Sequence, residues 1–302
     1  MQIGIVGLGK MGFNFSLRLL EKGYGVVGFD QKPELLPELK SAGGKVTASL
    51  AGLAKSLPAP RIILLSVPHE AVEGILFAES GLVNYLDHGD VIIDAANAYY
   101  KNSIQHFQRL KEKGVDYLDM GVSGGPGGAR NGSSIMVGGN EEVFKKTESI
   151  FKDLAAPDGH GYVGPAGAGH FVKMVHNGIE YVLMEAYGEG FELLVGGPYK
   201  ELDLCKIAKI WNHGGVVASF VLDKIEAVFD KDPRLETIEG FVEDLGEGRW
   251  AVREAISDEI PVDTIAEALF DRFRSRQKES FAAKLSAALR HEIGGHSVKA
   301  KK

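Results

Sequence analysis

The chain alternates short, wholly apolar runs with longer stretches whose apolar residues recur at helical spacing. Residues 2–6 read as a buried strand, 7–12 as a turn, 13–22 as a helix stopped by Gly23, and 26–30 as the next strand. That is a βαβ unit. Further strand signals fall at 61–67, 91–95, 115–120 and 134–137, with helical patterns between most of them. Continuous apolar strands alternating with helices predict an α/β fold, a Rossmann-type doubly wound sheet that is mostly parallel and covered on both faces. After Tyr162-Val163-Gly164-Pro165 the strand signals fade. Helical patterns broken by Gly196-Gly197-Pro198, Asp232-Pro233, Gly246 and Pro261 then run to the end. The expected division is a sheet domain over 1–164 and an all-α C-terminal domain over 165–302. A last helix is expected over about 261–292, ended by Gly294-Gly295, with a mobile basic tail over 297–302.

The helix that opens the second domain carries the chain's chemistry. Between Gly169 and Tyr181, the residues Lys173, His176, Asn177 and Glu180 recur at i, i+3, i+4 and i+7, so they share one face. Phe171, Val175, Ile179 and Val182 fall opposite, and their stripe continues as Met184 and Tyr187. The polar groups therefore read as lining a pocket instead of a solvated flank. About 10 Å of helix rise separates the backbones of Lys173 and Glu180. Their long side chains can reach opposite ends of one small substrate, a base and an acid on the same molecule.

Composition narrows the classes. At 302 residues, with 44% hydrophobic and 25% charged positions, the chain is an ordinary globular protein long enough for two cores. Its apolar runs are far too short to span a bilayer, and Met1 leads almost directly into a strand, so neither a signal peptide nor a membrane segment is expected. The single cysteine, Cys205, excludes an internal disulfide and fits a reducing compartment; a cytoplasmic location is the expectation. A net charge of −7 with no basic face argues against nucleic acid as a partner. An anionic substrate would have to be held by a few local cations.

Gly7-Leu8-Gly9-Lys10-Met11-Gly12 matches G-x-G-x-x-G, following a strand and opening a helix. The first glycine permits the turn, the second lets the backbone approach a pyrophosphate, and the third lets helix and strand pack closely. Phosphates would sit on the amides at the helix start. Asp30 ends the second strand about 20 residues on, where an acidic side chain bonds the ribose hydroxyls. A carboxylate there repels the extra phosphate of NADP, so NAD is the preferred cofactor. Lys32, two residues on with Gln31 between, keeps NADP possible. The strand ends Ser66-Val67-Pro68 and Ala95-Ala96-Asn97 are the other expected contacts.

These residues resemble the decarboxylating 6-phosphogluconate dehydrogenases, in a short form with a reduced helical domain. The resemblance runs over most of the chain. It rests on the glycine turn, Asn97, Val122-Ser123-Gly124-Gly125 with Gly128-Ala129-Arg130, the helix from His170 to Tyr181, Pro261-Val262 through Arg272, and Arg290 with His296. The helix is the most specific part, since related β-hydroxyacid dehydrogenases typically place asparagine where this chain has His176. The resemblance implies Lys173 as general base and Glu180 as general acid. It also implies Ser123, Gly124, Gly125, His176, Asn177 and Tyr181 against the sugar acid, Asn97 touching both cofactor and substrate, and Arg272 on the phosphate. Arg290 and His296 would reach the site of a neighbouring subunit, which implies a homodimer or homotetramer. The pathway implied is pentose phosphate metabolism or gluconate utilisation. One departure stands out: the family's long form has a lysine and a threonine where this chain reads Leu245-Gly246-Glu247-Gly248-Arg249-Trp250. Glu247 would repel a phosphate if it pointed inward.

The implied reaction needs a neutral lysine to take a hydroxyl proton as hydride leaves. Moving a lysine from about 10.4 to near 7 requires roughly 4 kcal/mol of bias, which partial burial and cations such as Arg272 or Arg290 can supply. No metal is required. His291 and His296 are five apart and separated by two glycines, so they are not read as a zinc motif. His69, His88, His106, His160 and His213 read as surface or capping residues. Two rival functions remain: a β-hydroxyacid dehydrogenase acting on an unphosphorylated acid, and a non-catalytic nucleotide sensor that keeps only the Rossmann domain.

Overall fold

Residues 1–299 are described in a computed structural model. Eight strands form one sheet: β1 (Gln2–Val6), β2 (Gly25–Phe29), β3 (Lys45–Val46), β4 (Ile62–Leu65), β5 (Val91–Asp94), β6 (Asp116–Ser123), β7 (Ser133–Gly139) and β8 (Ala155–Gly164). Their order is β3-β2-β1-β4-β5-β6-β7-β8. Every pairing is parallel except β6 with β7. The helices between them are α1 (Lys10–Glu21), α2 (Leu36–Ser41), α3 (Leu50–Ser56), α4 (His69–Phe77), α5 (Tyr100–Lys111), α6 (Gly125–Asn131) and α7 (Glu141–Leu154). The mostly parallel Rossmann-type sheet is thus as the apolar runs require.

Alternation within each run feeds two cores. Ile62 and Leu64 join Ile3, Ile5, Phe15 and Leu118 on one face, while Ile63 and Leu65 join Val6, Val27, Leu110 and Tyr117 on the other. A strand buried on both faces has no polar side to show, which is why these strands read as unbroken apolar runs.

The helical part comprises α8 (Ala168–Gly196), α9 (Leu204–Asn212), α10 (Phe220–Lys231), α11 (Glu247–Ser257), α12 (Asp263–Ser275) and α13 (Phe281–Gly294). Phe191, Leu204, Ala208, Leu222 and Phe229 form one small core, and Tyr181, Ala268 and Leu269 another. Contacts divide the chain into units 1–176 and 177–302, a division that falls inside α8.

Three details differ from the sequence reading. Strand β8 follows the last expected strand, pairing parallel with β7 through two register shifts. The expected last helix is two, because Ser280 caps a new start by accepting from the amide of Ala283. His106, read as a surface or capping residue, is buried, and its Nε2 meets Glu73 at 3.2 Å. Of the expected basic tail, residues 300–302 lie outside the described residues. Among the described residues no helix is long and apolar enough to cross a membrane.

Candidate functional site

The turn after β1 is built for close approach. Gly7 has φ +91°, and a Cβ there would lie 2.3 Å from the carbonyl oxygen of Ser66 and 2.7 Å from the Val67 side chain. A Cβ at Gly12 would lie 1.9 Å from the carbonyl oxygen of Gly7. The turn, the start of α1 and the end of β4 are therefore locked together by missing side chains. At Gly9, by contrast, a Cβ would meet nothing within 4 Å, so open space faces the start of α1, where free amides favour an anion. The structure thus brings Gly7, Gly9, Gly12, Ser66 and Val67 into one corner, with Lys10 and Met11 opening α1 and Pro68 preceding α4. Leu8 offers only backbone, since its side chain lies in the core.

Asp30, just past β2, spans this corner. Its Oδ2 accepts from the Leu8 amide at 2.6 Å and its Oδ1 from the Lys32 amide at 2.8 Å. Each oxygen keeps a further lone pair, so a ribose hydroxyl can still be accepted. Gln31 and Lys32 are exposed beside it, and Asn97 is exposed beyond β5. Ser123 ends β6, and Gly124 (φ +121°) and Gly125 (φ +59°) turn the chain into α6, so the glycine-rich stretch is a short helix.

Helix α8 is seated on the sheet through glycines. A Cβ at Gly121 would lie 2.6 Å from the Gly169 carbonyl oxygen, and one at Gly138 would lie 2.6 Å from the Gly169 amide. Asp119, fully buried in β6, accepts from the amides of Gly167 at 2.7 Å and His170 at 2.8 Å. A carboxylate on the first amides of a helix both satisfies them and opposes the helix dipole.

Along the first turns of this helix two polar residues are more buried than most of the apolar ones, Met174 excepted. Lys173 and Asn177 are each 7% exposed, and His176 and Glu180 half-buried, whereas Phe171, Val175, Ile179 and Leu183 are exposed, Ile179 at 52%. Lys173 Nζ lies 3.3 Å from His176 Nδ1.

In the helical unit, Tyr181 is the centre of a second cluster. Its hydroxyl donates to Glu247 Oε2 at 3.3 Å, and the Arg272 guanidinium stacks 3.5 Å from its ring centroid. Gly248 makes room, since a Cβ there would lie 2.7 Å from the ring. Burial first, then the Glu247 carboxylate, push the Tyr181 hydroxyl up to about 12, with Arg272 pulling the other way. Arg272 also donates to the carbonyl oxygen of Glu243 at 3.0 Å. Glu247 is thus buried against Tyr181, and Arg249 pairs with Asp244 and lies over the Phe273 ring. Arg290, on α13, and His296, beyond its end, are exposed.

Residues 2–169 match the NAD binding domain of 6-phosphogluconate dehydrogenase, and residues 169–301 match the C-terminal domain of the same enzyme. The chain belongs to the 6-phosphogluconate dehydrogenase family. Within that family it is 41% identical over 301 residues to the NAD-dependent, decarboxylating 6-phosphogluconate dehydrogenase of Haloferax volcanii, covering 99% of this chain and 98% of that one. The NAD-dependent, decarboxylating enzyme of Bacillus subtilis is 36% identical over 292 residues, but the match spans 62% of its length, so this chain is a short member. The Plasmodium falciparum 6-phosphogluconate dehydrogenase, solved in apo form, with NADP+ and with 6-phosphogluconate, superposes with a TM-score of 0.82 at 29% identity, covering all of this chain and 66% of that one.

Sequence reasoning passed over Asp94, Ser103, Tyr117, Asp119 and His170, all buried. The available signal was an acidic residue at or near the end of an apolar strand, in Val91-Ile92-Ile93-Asp94 and Tyr117-Leu118-Asp119-Met120. An acid there must be hydrogen-bonded to be tolerated.

Proposed function

We propose that this chain oxidatively decarboxylates 6-phosphogluconate to ribulose 5-phosphate and carbon dioxide, with NAD preferred over NADP. The observation that carries the reading is the buried polar face of α8, where Lys173 and Asn177 are withdrawn from water on a helix whose apolar Phe171, Val175 and Ile179 are exposed. A fold does not conceal a lysine at the expense of Phe171 and Ile179 for packing alone.

The open corner at Gly9 and the Asp30 carboxylate fit a dinucleotide, with 7–12, Asp30, Gln31, Lys32, 66–68 and Asn97 holding it. When bound, its nicotinamide accepts the hydride. Lys173 as neutral amine takes the proton of the secondary hydroxyl β to the carboxylate, and its ammonium form then stabilises the enolate left as the carbon–carbon bond breaks and carbon dioxide departs. Glu180 delivers a proton to the carbon that lost the carboxylate. Ser123, Gly124, Gly125, His176, Asn177 and Tyr181 hold the sugar acid. Arg272 takes the phosphate with the donors that Glu243 leaves over.

The working form is a homodimer or homotetramer, in which Arg290 and His296 complete a neighbouring chain's site. In α13 the residues Phe281, Leu285, Leu289 and Ile293 repeat at i+4 and are all exposed, Ile293 at 85%. Such a stripe calls for a covering surface. The single cysteine fits a cytoplasmic enzyme.

Parallel measurement of NADH formation and carbon dioxide release on 6-phosphogluconate, gluconate and 3-hydroxyisobutyrate tests the reading. Both products in equal amounts from 6-phosphogluconate alone are expected. Turnover of an unphosphorylated acid without carbon dioxide would replace it with a plain β-hydroxyacid dehydrogenase.

A further inference from the structure

The polar groups buried beneath α8 form a connected set within the sheet unit. Asp94, at the end of β5, is fully buried; its Oδ2 accepts from the Tyr117 hydroxyl at 2.7 Å and its Oδ1 from the Ala96 amide at 3.0 Å. Tyr117, also fully buried, has the Ser103 hydroxyl near enough to draw its phenol's pKa down, as a donor to it does. Ser103 Oγ lies 2.7 Å from His170 Nδ1, and His170 Nε2 is buried without a hydrogen-bond partner among the described residues. His170 is one turn ahead of Lys173 on α8.

We infer that this relay, Asp94 to Tyr117 to Ser103 to His170, together with the Asp119 carboxylate, fixes the first turn of α8 and so the point from which Lys173 projects. All five are positioning residues. The inference rests on Lys173 being the base.

The direction of the bonds follows from counting protons. The Asp94 carboxylate accepts, so Tyr117 donates to it. Burial, with Asp94 and Asp119 nearby, raises the Tyr117 hydroxyl well above its usual range, so that proton stays in place. Its single proton spent, Tyr117 accepts from Ser103. Ser103, its proton spent in turn, accepts from His170 Nδ1. His170 is therefore the neutral Nδ1–H tautomer, and its unpartnered atom is a lone pair, which burial tolerates better than an orphaned N–H. The same residue is held twice, its side chain by Ser103 and its amide by Asp119. The relay starts two residues before Ala96-Asn97, so one carboxylate orders both the turn that carries Asn97 and, through three side chains, the root of Lys173.

The test uses the full-length enzyme labelled with 15N-histidine, with the His170 signals among the nine histidines assigned by their loss in His170→Asn. The wild-type imidazole is expected to carry its proton on Nδ1 alone. Tyr117→Phe releases the Ser103 proton to point at Nδ1, so the tautomer should move toward Nε2–H while kcat on 6-phosphogluconate falls about 10- to 100-fold and NADH affinity holds. Ser103→Ala serves for the kinetics if Tyr117→Phe does not fold. His170→Asn keeps an N–H near the Nδ1 position and should retain most of the turnover that His170→Leu loses. A wild-type ring protonated on Nε2, or a folded Tyr117→Phe or Ser103→Ala enzyme with unchanged kcat, overturns the inference. Wild-type enzyme without activity on 6-phosphogluconate would instead remove the assigned reaction, and the tautomer would still test the relay.

Discussion

Tyr181 donates its hydroxyl proton to Glu247 across 3.3 Å, so a carboxylate that the sequence set beside an expected anion is occupied by a phenol. The folded state holds the Tyr181 hydroxyl at about 12, above the ordinary tyrosine value near 10. A group with a raised pKa contributes its stabilisation in full below the unfolded value and loses it as pH rises through the folded one. The window is therefore about pH 10 to 12. Glu247→Gln removes the repelling charge, so phenolate should appear at lower pH in an absorption titration referenced to Tyr181→Phe. An identical titration would mean that the carboxylate does not act on the phenol.

Lys173→Met should lower kcat by about 10²- to 10⁴-fold, the range for losing a general base. Binding of NADH, followed by its fluorescence, should be unchanged. Appreciable turnover in this variant would remove Lys173 from its role.

Gly121→Ala tests the seat of α8. The added methyl would fall 2.6 Å from the Gly169 carbonyl oxygen, a backbone atom that cannot swing aside. A loss of about 1–3 kcal/mol is expected, seen as a lower urea midpoint at unchanged slope. Wild-type stability would mean that helix and sheet have slack there.

Asp30→Asn keeps one acceptor oxygen, so of the two charge-assisted bonds from the amides of Leu8 and Lys32 one is lost and the other is weakened. NAD affinity should fall about tenfold, and the ratio of kcat/KM for NADP over NAD should rise because the negative charge is gone. A ratio that stays put would show that Asp30 only ties the turn.

Mixing inactive chains tests whether sites are shared. Subunits carrying Lys173→Met and subunits carrying Arg290→Ala should be nearly inactive apart and regain up to about a quarter of wild-type activity when reassociated, since half of all dimers are then mixed and one of the two sites in each mixed dimer is whole. No recovery in demonstrably mixed oligomers would confine each site to one chain.

The first βαβ unit was legible because its apolar runs, glycine turn and Asp30 all agree. Strand β8 was not, since Pro157-Asp158-Gly159 inside it reads as a turn and few of its residues are buried. The break between α12 and α13 was hidden by Arg276-Gln277-Lys278-Glu279, which are good helix formers. On α8 the spacing named the polar face but not how its burial compares with the apolar one, because burial belongs to what packs on a helix and not to the helix. Asp94 and Asp119 escaped for the same reason: the Tyr117 hydroxyl that Asp94 accepts from lies on β6, and the Gly167 and His170 amides that Asp119 accepts from lie at the start of α8, remote in sequence.

Not one side chain of α13 is buried, and fourteen residues is close to the shortest length at which a lone helix persists in water. Its order should therefore be borrowed from association. Diluted far enough, the protein should lose catalysis and this terminal segment's protection from proteases first, while the nucleotide fold survives, and its melting temperature should climb with concentration.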